Sequence, residues 1–372
     1  MFRQVLITGG AGFIGSHLSD ELLRRGYGVR VLDNLSAQVH GERTTIPSYM
    51  PPDVDMMIGD VRDPEAVRRA LVGVDAVFHF AAAVGVGQSM YQIARYTEIN
   101  NLGTATLLEA LIERPVERLV VASSMSVYGE GLYRTADGRP VSDAKRSVER
   151  LREKDWELRD ETNVQLQPVP TPETKPPSLS SIYALSKFDQ EQMCLLVGVT
   201  YGIPTVALRF FNVYGTRQAL SNPYTGVLAI FSARLLNGRS PLIFEDGHQR
   251  RDFVNVRDVA LAARLALEVP GASGRALNVG SGQSHSILEI ANKLAEILNR
   301  SLIAPQITAT YRAGDIRNCF ADISLARHLL GYEPQVALSD GLIDLAGWLE
   351  GQTPDDRAAA ATSELKSRGL TV

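Results

Sequence analysis

The sequence predicts an α/β protein, with a doubly wound parallel sheet in most of the chain and a smaller mixed α/β lobe. Short β-branched runs alternate with longer amphipathic stretches, the runs are apolar almost throughout, and the alternation loosens after residue 209. Strands that are apolar on both faces are typical of a parallel sheet covered by helices on each side. The length of 372 residues is enough for about two domains.

The predicted strands of the sheet share apolar, mostly β-branched sequence, at residues 4–8, 28–33, 55–59, 76–80, 119–123 and 205–209. The helices predicted between them have apolar residues at helical spacing, at residues 13–25, 64–72, 102–114 and 184–201. We assign residues 1–212, with about 250–272, to the sheet domain. The second lobe takes residues 213–249 and 273–352, and residues 353–372 form a tail, either a peripheral helix or disordered.

Residues 130–179 interrupt the alternation as an insertion. Within it, residues 143–161 carry charges of both signs and predict a solvated helix with Val148, Leu151 and Trp156 as a narrow apolar stripe. The run PVPTPETKPP that follows cannot be regular helix, because proline removes backbone donors. The insertion is either a surface decoration or a flap near the site.

Composition and charge exclude several classes of protein. A net charge of −4 with only short basic clusters provides no nucleic-acid surface. The two cysteines, Cys194 and Cys319, are too few for a disulfide framework or a cysteine-rich metal site. Met1 leads directly into an apolar strand, and no apolar run is long enough to cross a membrane. We therefore expect a cytoplasmic protein without metal, membrane or nucleic-acid partners.

The stretch VLITGGAGFIGSHL near the start of the chain predicts a dinucleotide site between a strand and a helix. Its glycines include the spacing G-x-G-x-x-G and are Gly9, Gly10, Gly12 and Gly15. They let the backbone approach a pyrophosphate, which the free N–H groups of a helix N-terminus bind. Asp33, about 20 residues further on, would bind ribose hydroxyls and repel a 2′-phosphate, which favours NAD over NADP. The loop alone also allows FAD or a plain turn.

Tyr183 and Lys187 lie four residues apart in a predicted helix and therefore project from one face. A neighbouring ammonium and a positive nicotinamide would stabilise a tyrosine phenolate and lower a pKa that is ordinarily ~10. Ser123, Ser124 and Ser126 end the preceding strand, where such sheets place their ligands. Each pattern alone is also common in ordinary helices and turns. Together they predict proton transfer to and from a substrate hydroxyl.

Further motifs occur in a fixed order along the chain: GDVRD at 59–63, FHFAA at 78–82, NNLGT at 100–104, RFFNVYGTRQ at 209–218, RRDFVNVRDV at 250–259, NVGSG at 278–282 and YRAGDIR at 311–317. With these motifs, residues 3–350 resemble an extended short-chain dehydrogenase/reductase of the NAD-dependent epimerase/dehydratase family. The resemblance implies a Rossmann domain and a nucleotide-sugar-binding lobe.

The resemblance implies a role for each matching residue, and no metal site. It implies that Tyr183, Lys187 and Ser124 are catalytic. The residues that it places around NAD are Gly9, Gly12, Phe13, Ile14, Gly15, Asp33, Asn34, Asp60, Val61, Ala81, Ala82, Asn100 and Lys187. The residues that it places around the nucleotide sugar are Gly87, Ser124, Asn212, Leu242, Phe244, Arg251 and Arg312. Among these, the arginines and Asn212 would hold the diphosphate.

Family membership leaves the reaction open, and residues 125–126 favour 4-epimerisation. The family's 4,6-dehydratases have an Asp-Glu pair directly after the catalytic Ser or Thr, where this chain has Met125 and Ser126. The glutamate that the family's decarboxylases place near this point is also missing. What remains resembles the family's 4-epimerases, which implies transient oxidation of the sugar at C4 through a 4-keto intermediate. A 4,6-dehydratase, a reductase and a non-catalytic NAD sensor are the alternatives.

The substrate implied by the resemblance is a dTDP- or UDP-hexose. The insertion and residues 218–231 are similar to the family's subgroup that acts on dTDP-L-rhamnose, while UDP-hexoses and UDP-glucuronate stay as alternatives. The family often forms homodimers through two helices per subunit, and residues 102–114 and 184–201 match them. Their apolar residues, which suit either a dimer or burial against the sheet, include Leu107, Leu108, Leu111, Met193 and Leu196.

Overall fold

The computed structural model describes residues 3–41, 45–224 and 226–371. Its strands are β1 (Gln4–Thr8), β2 (Gly28–Asp33), β3 (Asp55–Ile58), β4 (Ala76–His79), β5 (Arg118–Ser124), β6 (Leu132–Arg134), β7 (Pro140–Val141), β8 (Gln167–Val169), β9 (Thr205–Phe210), β10 (Asn212–Tyr214), β11 (Leu242–Ile243), β12 (Arg250–Arg251), β13 (Phe253–Asn255), β14 (Arg275–Val279), β15 (His285–Ser286), β16 (Gln306–Ile307) and β17 (Asn318–Cys319).

The α-helices are α1 (Phe13–Arg24), α2 (Ala37–His40), α3 (Pro64–Ala70), α4 (Val86–Ser89), α5 (Ile93–Tyr96), α6 (Gly103–Glu113), α7 (Val148–Arg152), α8 (Ile182–Tyr201), α9 (Val227–Leu236), α10 (Val256–Glu268), α11 (Ile287–Ile297), α12 (Ser324–Leu330), α13 (Leu338–Leu349) and α14 (Ala358–Ser367). A π-helix, Thr97–Leu102, leads into α6.

The central sheet has seven parallel strands in the order β3-β2-β1-β4-β5-β9-β14. The predicted doubly wound α/β fold is therefore confirmed. The strand order reverses between β1 and β4, and ligands of such sheets bind at this point, beyond the carboxyl ends of the strands. Residues 275–279 were assigned to the second lobe from sequence, but as β14 they form the seventh strand. The local sequence did not indicate this, because the chain leaves the second lobe at this point and β14 pairs in parallel with β9 of the central sheet.

Alternating side chains of the strands face two apolar cores. Val5 and Ile7 of β1 pack in a core with α1, α10 and α12. Leu6, between them, packs in the opposite core with α3, α6 and α8. Because both faces are covered, the inner strands such as β1, β4 and β5 are largely apolar on both sides, which is the pattern that predicted a parallel sheet.

An ion pair within the sheet domain fixes α8 against the strand ends. Arg209 of β9 donates to both oxygens of Glu191, at 2.9 and 2.6 Å, and both side chains are buried. Ser123 donates to the same carboxylate at 2.6 Å. A buried pair of this kind holds its neighbours in register because breaking it would leave an unpaired buried charge. The N-terminal turn of α8 is thereby held beside the end of β5.

The second lobe has an apolar core of its own, formed by α9, α11, α13 and the short strands beside them. Those strands form the pairs β10–β13 and β11–β16 and a sheet in the order β15-β12-β17. β10 pairs with β13 directly after β9, so the lobe continues from the carboxyl edge of the central sheet.

The insertion is a small three-stranded sheet, β7-β6-β8, rather than the predicted helix. Only Val148–Arg152 is helical, and Lys154 adopts a φ of +62°, which a helix cannot continue. Leu151 and Trp156 are buried as expected, whereas Val148 is exposed. The prediction of a longer helix was wrong because residues 155–166 instead pack across the sheet and against the second lobe.

Buried charges fasten the insertion to the second lobe. The Arg317 guanidinium, which is almost fully buried, donates to Glu157 of the insertion and to Glu245 and Asp246 of the lobe. Arg146 of the insertion donates to Glu245 at 2.6 Å. Within the described chain, residues 130–179 line neither cavity of the candidate site. The insertion therefore supports the lobe from outside.

Candidate active site

Two adjoining cavities lie at the carboxyl edge of the sheet. The first, of about 400 Å³, extends from the glycine loop to Tyr183. The second, of about 300 Å³, lies between the end of β5 and the second lobe. Asn212 lines both cavities, so they meet beside it.

The glycine loop between β1 and α1 lines the first cavity, and its glycines are required for different reasons. A Cβ on Gly9, whose φ is +69°, would lie 2.8 Å from the backbone of Ala81. A Cβ on Gly15 would lie 2.5 Å from the Cα of Gly10. A Cβ on Gly12 would contact only the Gly9 carbonyl, at 3.3 Å. Packing therefore demands Gly9 and Gly15, whereas Gly12 keeps the cavity open for a ligand.

This loop fits the pyrophosphate of a dinucleotide. α1 begins at Phe13 and has no side-chain cap, so side chains leave the N–H groups of its first turn available to an anion. Phe13 and Ile14 line the cavity beside the glycines. Ala81 and Ala82, which follow β4, line it from the facing side and add little bulk.

Asp33, at the end of β2, is almost fully buried and lines the first cavity. Its carboxylate accepts hydrogen bonds from the Ala11 N–H at 3.0 Å and the Leu35 N–H at 2.9 Å. The His40 ring lies 3.8 Å away, and burial lowers the pKa of His40, which favours its neutral form. Asp33 therefore lines the first cavity beside a neutral imidazole, in the position predicted to bind ribose hydroxyls.

Asp60, Val61 and Asn34 line the far end of the first cavity. The Asn34 amide donates to the Asp60 carboxylate at 2.9 Å, and Arg62 donates to the same group. Hydrogen bonds from Arg62 lower the pKa of Asp60 to about 2. This end therefore carries a fixed negative group beside an apolar wall, in the position predicted for an adenine and its ribose.

Asn100 does not line either cavity of the described chain, in contrast to its predicted place around the cofactor. It is fully buried in the π-helix. Its side chain accepts from the Ala83 N–H at 2.7 Å and donates to the Ala83 carbonyl and to Ser186. Asn100 thus ties the segment after β4 to α8, because a buried amide requires partners for each of its polar atoms.

Tyr183, Ser124 and Lys187 meet in the first cavity, near its junction with the second. Ser181 caps α8 by accepting from the Ala184 N–H at 3.1 Å, which places Tyr183 in the first helical turn. The Tyr183 phenol and the Ser124 hydroxyl, at the end of β5, line the first cavity together, and Ser124 acts to lower the pKa of the phenol. Ser126 donates to the Ser124 oxygen at 2.9 Å. The spacing of four residues between Tyr183 and Lys187 brings both to one face of α8.

Burial shifts the pKa values of Tyr183 and Lys187 in opposite directions. It raises the pKa of the Tyr183 phenol, and the Ser124 hydrogen bond only partly opposes this effect. It lowers the pKa of Lys187 to about 8. The expected lowering of the Tyr183 pKa is therefore not present in the chain alone. A positive group bound beside the phenol would oppose this effect of burial.

Lys187 belongs to a buried polar network that the sequence did not reveal. Its ammonium donates to the Gln190 side-chain oxygen at 2.6 Å. The Gln190 amide reaches Thr104 at 2.8 Å and the His79 ring at 3.2 Å. His79 also bonds to Thr8 at 2.8 Å, and burial lowers its pKa to about 3, so it is neutral. The spacing of Gln190 one turn after Lys187 was the available signal.

Arg251 and Arg312 line the second cavity together, as predicted for a diphosphate site. The Arg251 guanidinium donates to three backbone carbonyls, those of Arg250, Ile316 and Arg317. These neutral acceptors fix its orientation without cancelling its charge. Arg312 donates to Asp315 at 2.6 Å and lies over the Phe244 ring, 5.3 Å from the centroid. Gly87 and Leu242 line the same cavity.

Among the described residues that line the second cavity, two have a buried side-chain oxygen without a hydrogen-bond partner. They are Asn212 and Gln249. The Gln249 amide donates to the Phe244 carbonyl at 2.8 Å, which orients its free oxygen. A buried acceptor without a partner costs about 1–3 kcal/mol, which a ligand donor can recover. Gln249 was not predicted; its place directly before the RRDF motif was the only signal.

Acidic groups are absent around Tyr183 in the described lining. The carboxylates that line the two cavities are Asp33, Asp60 and Asp315. The first two lie at the far end of the first cavity, and Asp315 is bound to Arg312. Met125 and Ser126, directly after Ser124, line the second cavity. Among the described lining residues, no carboxyl group is therefore placed to protonate a leaving hydroxyl near Tyr183.

Two further structural findings concern the described residues as a whole. None of their helices has the length and apolar character that crossing a membrane requires. Groups of three or more His, Cys, Asp or Glu side chains suited to hold a metal ion are not found among them.

A sequence profile described as the NAD dependent epimerase/dehydratase family matches residues 5–152 and 160–280. The dTDP-L-rhamnose 4-epimerase of Burkholderia thailandensis is 33% identical over 353 residues, which cover 93% of this chain and 95% of that protein.

Two solved structures are similar over nearly the whole chain. The UDP-glucose 4-epimerase of Thermotoga maritima, solved with UDP-glucose, has a TM-score of 0.75 at 30% identity, covering 93% of this chain and 98% of that one. The UDP-glucose 4-epimerase of Thermus thermophilus, solved with NAD, has a TM-score of 0.73 at 33% identity, covering 94% and 99%.

Proposed function

The chain belongs to the NAD dependent epimerase/dehydratase family, and we propose that it inverts C4 of a dTDP-6-deoxyhexose of the L-rhamnose type. It is an NAD-dependent nucleotide-sugar epimerase, with a nucleotide sugar as substrate. One observation carries the proposed reaction. Tyr183 and Ser124 meet where the two cavities join, and the described lining has no carboxylate beside them.

The first cavity is proposed to hold the cofactor. Gly9, Gly12 and the start of α1 would bind the pyrophosphate, and Asp33 the adenosine ribose. Lys187 would bind the nicotinamide ribose. When bound, NAD accepts a hydride from C4 of the sugar and returns it. The carboxylate of Asp33 repels a 2′-phosphate, which agrees with NAD as the cofactor.

Tyr183 is proposed to accept the proton of the C4 hydroxyl as a phenolate. Ser124 would donate its single hydroxyl proton to the oxygen at C4 of the sugar, because its own oxygen already accepts from the Ser126 N–H and the Ser126 hydroxyl. The Lys187 ammonium lowers the free energy of the phenolate through its charge. After the hydride returns to the opposite face of C4, Tyr183 gives the proton back to the sugar.

The second cavity is proposed to bind the nucleotide diphosphate firmly and the hexose loosely. Arg251 and Arg312 offer fixed forked donors to the diphosphate, and Asn212 offers a further polar group beside it. Phe244 and Leu242 would pack against the base. A hexose without strong directional partners can turn over as the 4-keto sugar, so that its other face meets the returning hydride.

The charge of the second cavity favours a neutral hexose over a hexuronate. Its described lining residues carry two cations, Arg251 and Arg312, and both are proposed to bind the diphosphate. A sugar carboxylate would therefore be desolvated without a cationic partner, which costs several kcal/mol. This argument and the similarity to the rhamnose 4-epimerase together favour a 6-deoxyhexose.

The test is incubation of the purified protein with dTDP-L-rhamnose, UDP-glucose, UDP-N-acetylglucosamine and UDP-glucuronate, without added NADH. We expect dTDP-L-rhamnose to give a product of unchanged mass with inverted C4, detected by mass spectrometry and NMR. Loss of water would establish a dehydratase instead, and turnover of a UDP-sugar alone would correct the substrate. If NAD is bound but no sugar is turned over, the protein is an NAD sensor.

The Tyr183→Phe variant tests the assignment of the base. Removing the phenol oxygen leaves the ring and its packing in place, so we expect NAD binding to persist while epimerisation falls by at least ~10³-fold. Activity near that of the wild type would remove Tyr183 from this role.

A homodimer is proposed through α8 and the neighbouring helix α6. Leu107, Leu108 and Leu111 of α6 are buried within the subunit, so they are not available to a partner. On α8, however, Leu196 and Val199 are 65% and 79% exposed. Exposed apolar side chains one turn apart on a helix are typical of a contact surface.

A further inference from the structure

The C-terminal helix α14 contributes one face to the second cavity. Its lining residues are Ala358, Ala361, Thr362 and Leu365. These positions have the spacing i, i+3, i+4 and i+7, so they share one face of the helix. Ala361 and Leu365 are buried, whereas Lys366 on the other side is exposed. The sequence had predicted only a peripheral helix or a disordered tail for this segment.

Contacts before α14 hold the segment in place. Asp356 forms ion pairs with Arg234 at 3.3 Å and Arg239 at 3.0 Å. The Asn237 side chain donates to the Pro354 carbonyl at 3.0 Å. All three partners lie on or directly after α9, which itself lines the second cavity. The segment is thus fastened to the second lobe before the helix begins.

Contacts after α14 fasten it to the other side of the cavity. The Ala313 N–H donates to the Leu370 carbonyl at 2.8 Å, and Arg312 forms a β-bridge with Thr371. The Arg368 guanidinium lies over the Tyr91 ring, 4.2 Å from its centroid. The chain therefore passes across the cavity and is anchored on both sides of it.

Leu365 identifies which part of the cavity α14 covers. A Cβ on Gly87 would lie 3.2 Å from Leu365 Cδ2, so Leu365 packs directly on α4. In the same helix, the Ser89 hydroxyl accepts from the Tyr183 N–H at 3.0 Å. Leu365 therefore packs on the same short helix that binds the backbone of Tyr183, and it lines the second cavity, which is proposed to hold the sugar.

We propose that α14 forms a wall of the sugar subsite and that Leu365 determines how tightly the sugar half of the substrate is bound. This inference rests on the proposed function. The face offers methyl groups from two alanines and a leucine, with one hydroxyl from Thr362. It fits an apolar substituent such as the methyl group of a 6-deoxyhexose, since an added hydroxyl there would be buried with few partners.

The wall also suits a sugar that must turn over during the reaction. Methyl groups exclude water without imposing a direction, so they can contact either face of the 4-keto sugar. A polar wall would hold one orientation by hydrogen bonds and slow the exchange of faces. α14 is therefore assigned to positioning and specificity, separate from proton transfer by Tyr183.

The test is calorimetric binding to the NAD-loaded full-length protein, with dTDP-L-rhamnose and dTDP as one pair and UDP-glucose and UDP as a second. Leu365→Ala removes apolar contact with the sugar, and we expect the Kd of the nucleotide sugar to rise roughly 5- to 30-fold. The Kd of the free nucleotide should stay within about twofold, because its diphosphate contacts are unchanged. Lys366→Ala is the matched control on the exposed side and should change neither value.

Ala361→Phe tests the same wall without creating a cavity. The larger side chain should fill sugar space and weaken nucleotide-sugar binding, while free dTDP binds as before. The proposal would be overturned if the variants bound the nucleotide sugar and the free nucleotide more weakly to the same extent, or if neither variant weakened binding of the nucleotide sugar.

The outcomes separate this inference from the proposed reaction. If the variants bind the nucleotide sugar more weakly but the wild type does not epimerise it, the role of α14 is supported and the proposed reaction is refuted. If the wild type epimerises the sugar but the variants bind it as tightly as the wild type does, the proposed reaction is supported and the role of α14 is refuted.

Discussion

Gln190→Leu tests whether the network behind Lys187 keeps that side chain charged. The substitution preserves most of the side-chain volume but removes the oxygen that accepts from Lys187 at 2.6 Å. A hydrogen bond to a charged group contributes about 1.5–3 kcal/mol, against about 0.5–1.5 kcal/mol for a neutral one. The difference, about 1–1.5 kcal/mol, favours the ammonium and corresponds to a roughly tenfold change in proton affinity.

The direction of the effect follows from the pKa of Lys187, which burial already lowers to about 8. As pH rises through this value the ammonium is lost, and with it the charge that is proposed to stabilise the Tyr183 phenolate. The wild type should therefore lose kcat above about pH 8. Removing the Gln190 acceptor lowers the pKa of Lys187 further, so the variant should lose kcat at a pH about one unit lower.

The assay is kcat for the nucleotide sugar between pH 6 and 10, with product measured by NMR. Gln190→Glu should move the alkaline loss to higher pH, because a carboxylate stabilises the ammonium. Lys187→Arg should remove that loss, since a guanidinium stays charged throughout this range. Gln192→Leu is the matched control, because Gln192 lies on the same helix and bonds to Glu191 at 3.3 Å. The reasoning is refuted if Gln190→Leu and Gln192→Leu have the same pH profile as the wild type.

The remaining predictions concern the cofactor, stability and assembly. Asp33→Ala should weaken NAD binding by roughly 10- to 100-fold and reduce the preference for NAD over NADP, measured by titrating NADH and NADPH fluorescence; an unchanged ratio would contradict the role of the carboxylate. Burial raises the pKa of Asp252 to about 6. The unfolded chain therefore releases this proton first, and this group lowers the free energy of unfolding by about 2–3 kcal/mol as pH rises from about 4 to about 6. Denaturant unfolding should show the stability deficit of Asp252→Asn shrinking over that range, whereas a constant deficit would argue against the buried charge. Leu196→Glu should convert a homodimer into monomers in analytical ultracentrifugation, with Lys366→Ala as a control that leaves assembly unchanged; a wild-type monomer would refute the proposed interface.

Patterns within short segments allowed correct predictions of much of the fold. The predicted strands 4–8 and 28–33 match β1 and β2 residue for residue. The predicted helix 184–201 differs from α8 only at its start, Ile182. Such elements follow from hydrophobic periodicity and turn-forming residues, which act over a few positions. The predicted helix over residues 143–161 failed because its apolar residues find their partners across the insertion sheet.

In the candidate site, too, some features follow from the local sequence and others from tertiary packing. Tyr183 and Lys187 share a face because of their spacing, and the glycine loop can make its turn because the turn needs a positive φ at position 9, which glycine adopts without strain. Asn100 was expected around the cofactor because its motif was present, yet its side chain bonds to Ala83 and Ser186. A motif predicts that its residues have a structural or functional role, whereas the direction of each side chain depends on the neighbours that packing provides.

By itself the sequence determined the doubly wound sheet, the dinucleotide loop and the pairing of Tyr183 with Lys187, since each depends on residues close together in the chain. The tertiary structure alone decided that Gln190 joins Lys187 to His79 and that α14 lines the second cavity. Gln190 and His79 are 111 positions apart, and Leu365 meets Gly87 from the other end of the chain. Contacts of this kind arise only when separate elements pack against one another, and no local pattern encodes which elements will meet.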